Sequence, residues 1–420
     1  METIQLDQGL HQTVLPNGLT VLTEALPGVR SIAAGVWVRT ASAHEVRSKM
    51  GVSHLLEHMV FKGTERRTAQ QIAFSLETRG GSLDAYTSRD TTAFQARVLD
   101  RDLPEAVDVL TDLVRHPVLR DADLQLERNV ILEEINTVED TPDDQVFDLS
   151  AQTLWPEHPY GFQILGTRET VSALSTDDLR ALHRQAYQPA NCVIAGAGQI
   201  EHAALLALLE QHGWFEGPVA RAAAPAGKVP PAARGVRARI EKDTAQTHIV
   251  FASECVPFAD QRKFAMQVVA NVFGGGMSSR LFQRIREELG LAYSIYAFTS
   301  FYHRVGVSGV YVGTQPKTAA QAEAAIRDEM RRLAREGLRG NDLADAKRQT
   351  QGQLALSLES PAARMYRLAS CAVFGDPYQS LDAMQTTIAD LREAEIAAVA
   401  DEFFDPERQT VVWLGPNGNA

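Results

Sequence analysis

The sequence is poor in cysteine. Its 420 residues include three cysteines, Cys192, Cys255 and Cys371, which are far apart in the chain. A disulfide framework, or a zinc site built from cysteines, requires several cysteines at short and regular spacing. Both kinds of site are therefore excluded, and the three thiols are expected to be buried and free.

Long apolar runs and an excess of positive charge are also missing. No apolar stretch approaches the ~18 residues that a membrane span requires, and residues 1–7 lack the basic and apolar regions of a secretory signal. Binding to nucleic acid relies on clustered Lys and Arg, whereas this chain has a formal net charge of −12. The sequence predicts a cytoplasmic protein with no membrane span and no nucleic-acid partner, and its acidity favours cationic ligands.

The chain is long enough for two domains, since a single hydrophobic core rarely grows beyond about 250–300 residues. Residues 217–235 are rich in Ala, Pro and Gly, which is typical of a linker, and they lie near the midpoint. Residues 60–64 (VFKGT) are echoed by residues 272–276 (VFGGG), which indicates a repeat. We therefore expect an N-terminal domain at 1–216 and a homologous C-terminal domain at 236–420, related by internal duplication.

Local patterns predict both strands and helices in the N-terminal half. Asn17-Gly18 lies between two short apolar runs and indicates a hairpin. Residues 31–38 have the pattern of a buried strand, and residues 51–61 and 121–138 have the pattern of helices. Together these features predict an α+β fold in which each domain is a largely antiparallel sheet packed with helices.

The sharpest chemical signal is His54-Leu55-Leu56-Glu57-His58 in the first predicted helix. With 3.6 residues per turn, positions i, i+3 and i+4 share one face, so two imidazoles and a carboxylate converge. Neutral imidazoles bind zinc, and polar groups on an otherwise apolar helix need partners if they are buried. The alternative is a helix that carries surface histidines. The apolar context favours a metal site with one ligand still to be supplied.

A carboxylate on another element would complete this site, and the predicted helix at 121–138 offers several. Glu127 and Glu134 are two turns apart and share a face, whereas Glu133 is rotated from Glu134 by about 100°. Helix geometry therefore leaves two alternatives for the third ligand, the Glu127/Glu134 face and Glu133.

Residues 51–64 (GVSHLLEHMVFKGT), followed by Glu134 76 positions after His58, resemble the inverted zinc peptidases of the pitrilysin/insulinase family. The resemblance covers essentially the whole chain. Within the family, the sequence looks most similar to the mitochondrial processing peptidase β subunit and its bacterial relatives. Further blocks in the family's order are residues 80–87 (GGSLDAYT), 127–134 (ERNVILEE), 139–144 (EDTPDD) and 158–161 (HPYG).

The resemblance implies a role for each polar residue of the constellation. His54, His58 and Glu134 would hold one zinc ion per chain. Glu57 would be the general base, and Glu127 a supporting carboxylate near the site. The resemblance thus selects Glu134 from the alternatives that helix geometry leaves open.

Two residues of the second half match an arginine and a tyrosine that relatives bring to the substrate. They are Arg286 and Tyr293, in the segment 286–294 (REELGLAYS). A guanidinium and a phenol can hold substrate carbonyls or stabilise a developing oxyanion. The alternative is structural, because an Arg near a helix C-terminus complements the helix dipole and a Tyr that opens a strand often packs in a core.

The block at 80–87 implies that peptide substrates pair with an edge strand that contains Asp84, Ala85 and Tyr86. Asp84 stands where relatives usually have Asn, so an amide donor is lost. We expect Asp84 to shift substrate preference toward basic residues.

The sequence therefore predicts a zinc metalloendopeptidase that cleaves small or unfolded peptides, including basic or presequence-like segments. Because this chain carries both the zinc motif and the Arg–Tyr pair, the resemblance implies a self-sufficient homodimer. Acidic residues at 139, 140, 143, 144 and 148 would favour basic peptides, although such runs are often only solvated. The alternatives are a noncatalytic peptide-binding scaffold of the same fold and a metal-storage or haem-binding protein that uses the two histidines.

Overall fold

The computed structural model describes residues 1–217, 229 and 231–416. Its helices, in chain order, are α1 (Val52–Val60), α2 (Ala69–Glu77), α3 (Leu103–Arg115), α4 (Asp121–Glu139), α5 (Pro142–Leu154), α6 (Arg168–Ala173), α7 (Thr176–Ala186), α8 (His202–Gln211), α9 (Lys263–Gly274), α10 (Ala319–Glu336), α11 (Gly340–Ser357), α12 (Pro361–Phe374), α13 (Leu381–Asp390) and α14 (Glu393–Phe404). None of these described helices is both long enough and apolar enough to cross a membrane.

The chain forms two compact units, each built from separate segments of the sequence. The first comprises Met1–Ile135, Gln163–Ala226 and Ser357–Tyr378, and the second comprises Asn136–Phe162, Gly227–Leu356 and Gln379–Ala420. The units thus differ from two continuous halves, because residues 136–162 belong to the second unit and residues 357–378 to the first. The domain boundaries at 1–216 and 236–420, and the duplication, stay predictions. The predicted linker at 217–235 falls largely outside the described residues.

The first unit contains a seven-stranded sheet. Its strands are β1 (Glu2–Asp7), β2 (Leu10–Val14), β3 (Thr20–Ala25), β4 (Ser31–Val38), β5 (Ser82–Thr87), β6 (Thr92–Leu99) and β7 (Cys192–Gly198). Their order is β1-β2-β3-β7-β4-β6-β5, and all neighbours are antiparallel except β3 and β7. The predicted hairpin at Asn17-Gly18 is confirmed, since Val14 pairs with Thr20 across it.

The second unit contains a five-stranded sheet of the same mixed but mainly antiparallel kind. Its strands are β8 (Arg237–Glu241), β9 (Thr247–Cys255), β10 (Ala292–Phe301), β11 (Gly306–Thr314) and β12 (Thr410–Gly415). Their order is β10-β11-β9-β12-β8, with β12 and β8 parallel. Helix α5 packs on β9 and β12, and α9 packs on β10 and α14. The predicted α+β class is thereby confirmed.

Both faces of the first sheet are covered by helices, because alternate residues of its strands point to opposite sides. On one face, Val36 belongs to a core that includes Leu55 and Leu56 of α1. On the other face, Trp37 packs in a second core with Leu368 of α12. Helix α1 is therefore held by its apolar side against the sheet, where it packs on β5 and β6. As predicted, none of the three cysteines forms a disulfide, and Cys192 and Cys255 are buried, whereas Cys371 is half-buried.

The start of α1 is fixed by a left-handed glycine and a buried carboxylate. Gly51 has a φ of +88°, and a Cβ at this position would lie 2.6 Å from the carbonyl oxygen of Leu165. The backbone N–H groups of Gly51 and Ser53 each donate a hydrogen bond of 2.8 Å to the carboxylate of Glu45. Such contacts satisfy free N–H groups at a helix N-terminus and complement its dipole. They set the position of the helix that carries the histidines.

Replacing Gly51 by alanine should destabilise the protein more than the same change at Gly28. Both glycines have a left-handed φ, +88° and +91°, but nothing lies within 4 Å of a Cβ built on Gly28. Gly28→Ala should cost roughly 1–2 kcal/mol, the price of the left-handed conformation alone. Gly51→Ala adds a backbone clash to that cost. Urea denaturation measures the difference, and equal unfolding free energies for the two variants would contradict this account.

Candidate metal centre and active site

The structure brings His54, His58 and Glu134 together. The ring centres of His54 and His58, on adjacent turns of α1, are 4.7 Å apart. Oε2 of Glu134, on α4, lies 3.7 Å from Nε2 of His54 and 3.8 Å from Nε2 of His58. One ligand atom from each residue lies within 4.8 Å of the other two. The three residues that the resemblance implied as ligands therefore form one cluster in the first unit.

This donor set fits a zinc ion. At zinc–ligand distances of ~2.0–2.1 Å, tetrahedral ligands stand about 3.3 Å apart, slightly closer than the nitrogen–oxygen distances of 3.7 and 3.8 Å seen here. Oε2 of Glu134 is buried and has no hydrogen-bond partner among the described residues. A buried polar atom without a partner costs free energy, which a cation at this position would offset. Two imidazoles, one carboxylate and an open position form a common ligand set of catalytic zinc.

The protonation state of His54 also suits a metal ligand. Burial, together with the charge of the neighbouring His58, lowers the pKa of His54 to about 3. Its imidazole is therefore neutral at neutral pH, which is the form that binds metals. Nδ1 of His54 is buried and finds no hydrogen-bond partner within the described part of the chain.

Glu127 lies against the other nitrogen of His58. Its Oε2 is 3.1 Å from Nδ1 of His58, and its Oε1 is 2.6 Å from Nζ of Lys62. A carboxylate on Nδ1 fixes the orientation of a ligating imidazole and leaves Nε2 for the metal. Lys62 balances the charge of Glu127, whose side chain is only 6% exposed.

Among the three glutamates that helix geometry left open, the contacts favour Glu134 as the ligand. Glu127 meets His58 through Nδ1 and lies outside the three-residue cluster. Glu133 is exposed and lies outside it as well. Glu134 is the one whose carboxylate approaches both imidazoles.

Glu57 is buried beside the cluster without being part of it. Burial raises the pKa of Glu57, and a 2.7 Å hydrogen bond donated by Oγ1 of Thr87 partly opposes this rise. A carboxylate with a raised pKa is better suited to accept and return a proton near neutral pH. The position and environment of Glu57 therefore fit a general base.

Strand β5 forms an edge of the first sheet, as the resemblance implied. The side chain of Ala85 packs toward the core that contains α1, whereas Tyr86 packs on the opposite face and accepts a 3.1 Å hydrogen bond from Nε1 of Trp37. Asp84 is exposed and alternates with Ala85, so it shares the face of Tyr86. The substrate roles of Asp84, Ala85 and Tyr86 stay predictions.

Arg286 and Tyr293 contact each other in the second unit. Arg286 lies in a π-helix (Phe282–Glu288), and its Nη1 donates a 3.2 Å hydrogen bond to the carbonyl oxygen of Tyr293. Its guanidinium carbon is 4.5 Å from the ring centre of Tyr293 and 4.7 Å from that of Phe282. The side chain of Tyr293 is not packed in a core, since the residue is 77% exposed. Their roles toward a substrate stay predictions.

Helix α9 of the second unit carries no equivalent of the histidine cluster on α1. Met266, Val269 and Ala270 occupy the positions that the predicted repeat aligns with His54, Glu57 and His58. All three are buried apolar residues. At these three positions, α9 therefore contributes apolar side chains to the core of the second unit.

Three supporting residues were missed by sequence reasoning, namely Glu45, Lys62 and Thr87. Lys62 lies four positions after His58, just beyond the end of α1, and inside the family block at 51–64, but it was assigned no role. Thr87 falls inside the family block at 80–87, but it was assigned no role from the sequence. Glu45 carries no local signal, because its partners are the backbone N–H groups of the next helix.

Comparison with known proteins identifies relatives along almost the whole chain. Residues 20–168 match the family described as insulinase (peptidase family M16), and residues 173–350 match the peptidase M16 inactive domain. A protein named as an uncharacterized zinc protease from Streptomyces coelicolor is 37% identical over 412 residues, which is 97% of this chain and 90% of that protein. A similarly named protein from Bacillus subtilis is 35% identical over 403 residues, or 96% of this chain and 97% of that protein.

Solved structures share the fold. A protease from Helicobacter pylori superposes with a TM-score of 0.90 at 22% identity and covers 97% of this chain and 99% of its own. A peptidase M16 inactive domain from Pseudomonas fluorescens gives a TM-score of 0.89 at 20% identity, with 97% and 98% coverage.

Glu134→Gln should weaken zinc binding, whereas Glu133→Gln should leave it unchanged. The adjacent glutamates make a matched pair, because the carboxylate of Glu134 approaches both imidazoles and Glu133 is exposed. Loss of a ligand should weaken affinity at least as much as loss of a supporting contact, roughly 10–100-fold. Competition with a chromogenic chelator measures the affinity. Equal zinc affinity in the two variants would exclude Glu134 as a ligand.

Proposed function

Because the chain belongs to the insulinase family of zinc peptidases (peptidase family M16), we propose that it is a zinc-dependent endopeptidase that hydrolyses small or unfolded peptides. The observation that carries this proposal is the cluster of two imidazoles and one carboxylate with a fourth polar residue, Glu57, beside it. In the proposed roles, His54, His58 and Glu134 hold one zinc ion per chain.

A zinc ion bound there supplies Lewis acidity, which polarises a substrate carbonyl and lowers the pKa of water. Glu57 accepts a proton from the attacking water and returns it to the leaving amine, so that the same carboxylate serves as base and then as acid. Glu127 contacts Nδ1 of His58 and holds the ring in the tautomer that leaves Nε2 free for a metal, and Lys62 pairs with the other oxygen of Glu127. Arg286 and Tyr293 are proposed to bind the substrate.

Glu57→Gln should leave only a small residual rate of peptide cleavage while zinc remains bound. The amide cannot accept a proton, and loss of a general base typically costs about 10²–10⁴-fold in rate. A quenched fluorescent peptide measures cleavage, and elemental analysis of the same sample measures zinc, expected at about one ion per chain. Full activity in this variant would show that Glu57 is not the base. A zinc-loaded wild-type protein that cleaves no peptide would contradict the proposed function.

We further propose that basic, presequence-like peptides are preferred. The chain has a net charge of −12, and Asp143 and Asp144 at the start of α5 are exposed. An acidic surface raises the local concentration of cationic substrates, and salt screens this attraction.

Two peptides of equal length should therefore be cleaved at different rates. The peptide with Lys and Arg near the scissile bond should have a higher kcat/KM than the one with Glu, and added salt should reduce the difference.

Asp84→Asn tests the contribution of the edge strand to this preference for basic peptides. If this variant handles cationic peptides as the wild type does, Asp84 has no role in preference.

A homodimer is the proposed assembly, because one chain carries both the zinc motif and the Arg–Tyr pair. Size-exclusion chromatography with light scattering, followed by the peptide assay on each peak, tests this proposal. A chain that is active only after a second protein is added would contradict it. A cytoplasmic location stays a prediction from the sequence.

A further inference from the structure

We propose that Thr87 is a positioning residue that holds the carboxylate of Glu57 in its working orientation. This inference rests on the proposed function, since it concerns the general base of that reaction. Oγ1 of Thr87 donates a hydrogen bond of 2.7 Å to Oε2 of Glu57. The length is that of a strong bond between a hydroxyl and a carboxylate.

The bond determines which oxygen of Glu57 is available for chemistry. Glu57 is buried, with 9% of the residue exposed. Within residues 1–217 and 231–416, no hydrogen bond to its carboxylate other than that from Thr87 is present, and this bond occupies Oε2. Oε1 is therefore left to accept a proton from water. A carboxylate held by one oxygen loses less freedom when it reacts than one that must first rotate into place.

Thr87 itself is held firmly, which makes it an effective support. It is the last residue of β5 and pairs with Thr92 of β6. The turn that follows is closed by a 2.8 Å hydrogen bond from the N–H of Ser88 to the carbonyl of Thr91 and by a 3.1 Å bond from the N–H of Thr91 to Oγ of Ser88. Its β-branched side chain has few rotamers. The hydroxyl is thus fixed by the sheet, whereas Glu57 belongs to α1.

The alternation of side chains along β5 explains why Thr87 reaches Glu57. Ala85 packs toward the core that contains α1, and Thr87, two residues further, lies on the same face of the strand. Tyr86 lies on the other face. A shift of register by one residue would remove the hydroxyl from Glu57.

The test compares two substitutions at this position. Thr87→Val keeps the shape and removes the hydroxyl, and Thr87→Ser keeps the hydroxyl. Loss of a hydrogen bond to a charged group should lower kcat about 10–100-fold in Thr87→Val, with KM and zinc affinity close to those of the wild type. Thr87→Ser should retain most of the activity. A Thr87→Val enzyme with wild-type kcat would overturn the inference, and so would one that loses zinc or stability in proportion to its activity.

A double variant separates positioning from a general structural effect. In the Glu57→Gln background, Thr87→Val should cause little further loss in the residual rate, because the two residues act as one unit. Fully multiplicative losses would overturn the inference.

A second readout needs neither zinc nor catalysis. In metal-free protein, the carboxylate infrared band identified by its loss in Glu57→Gln should shift in Thr87→Val and stay in place in Thr87→Ser. An unshifted band in Thr87→Val would count against the hydrogen bond. The outcomes also distinguish this inference from the proposed function. If the wild type cleaves peptides and Glu57→Gln does not, a fully active Thr87→Val enzyme removes only the role of Thr87.

Discussion

Two imidazoles and two carboxylates meet between α1 and α4, and the chemistry of the site depends on which atoms face each other. Glu127, which also pairs with Lys62, contacts Nδ1 of His58, and Nε2 of the same ring faces Glu134. The buried Oε2 of Glu134 has no hydrogen-bond partner among the described residues, although it lies within 4 Å of both imidazoles. An arrangement of this kind is costly in an empty, dry site and favourable around a cation. The cluster therefore suits a bound cation better than an empty site.

Such a cluster requires that α1 be held more firmly than its own nine residues could achieve. Its apolar side, including Leu55 and Leu56, is buried against the sheet. At its start, Gly51 packs so closely against the backbone of residues 165 and 166 that no side chain fits, and Glu45 binds the free N–H groups. The helix is thus fixed both along its axis and in rotation. A shift of about 0.5 Å along the axis, or a rotation of about 10–20°, would change the distances between the ligand atoms of the cluster.

The local part of this structure could be predicted, and the long-range part could not. The spacing of His54, Glu57 and His58 places them on one helix face wherever that helix lies, because it depends on helical periodicity alone. The choice of Glu134 over Glu133 depends on how α4 is rotated against α1, which is set by tertiary packing. Helix geometry therefore left the choice open, and the family resemblance supplied it.

The supporting contacts show the same limit more strongly. Glu127 lies 69 positions from His58, and Thr87 lies 30 positions from Glu57. No periodicity joins residues so far apart in the chain. Local patterns also could not predict which segments form each compact unit, because α12 lies late in the sequence but packs in the core of the first unit. Each of these features follows from how the sheet and helices pack, which local propensity does not encode.

The second half provides a natural contrast to the site. Helix α9 buries Met266, Val269 and Ala270, where the predicted repeat aligns the two histidines and the base. Apolar residues at these positions contribute to the core without a desolvation cost. In α1, burial instead raises the pKa of Glu57 and lowers that of His54, so these side chains are held in environments that disfavour their charged forms. If the halves derive from one ancestral unit, the fold accepts either apolar or polar residues at these helix positions. Because apolar residues would be more stabilising there, the polar residues of α1 are explained by the chemistry that they permit.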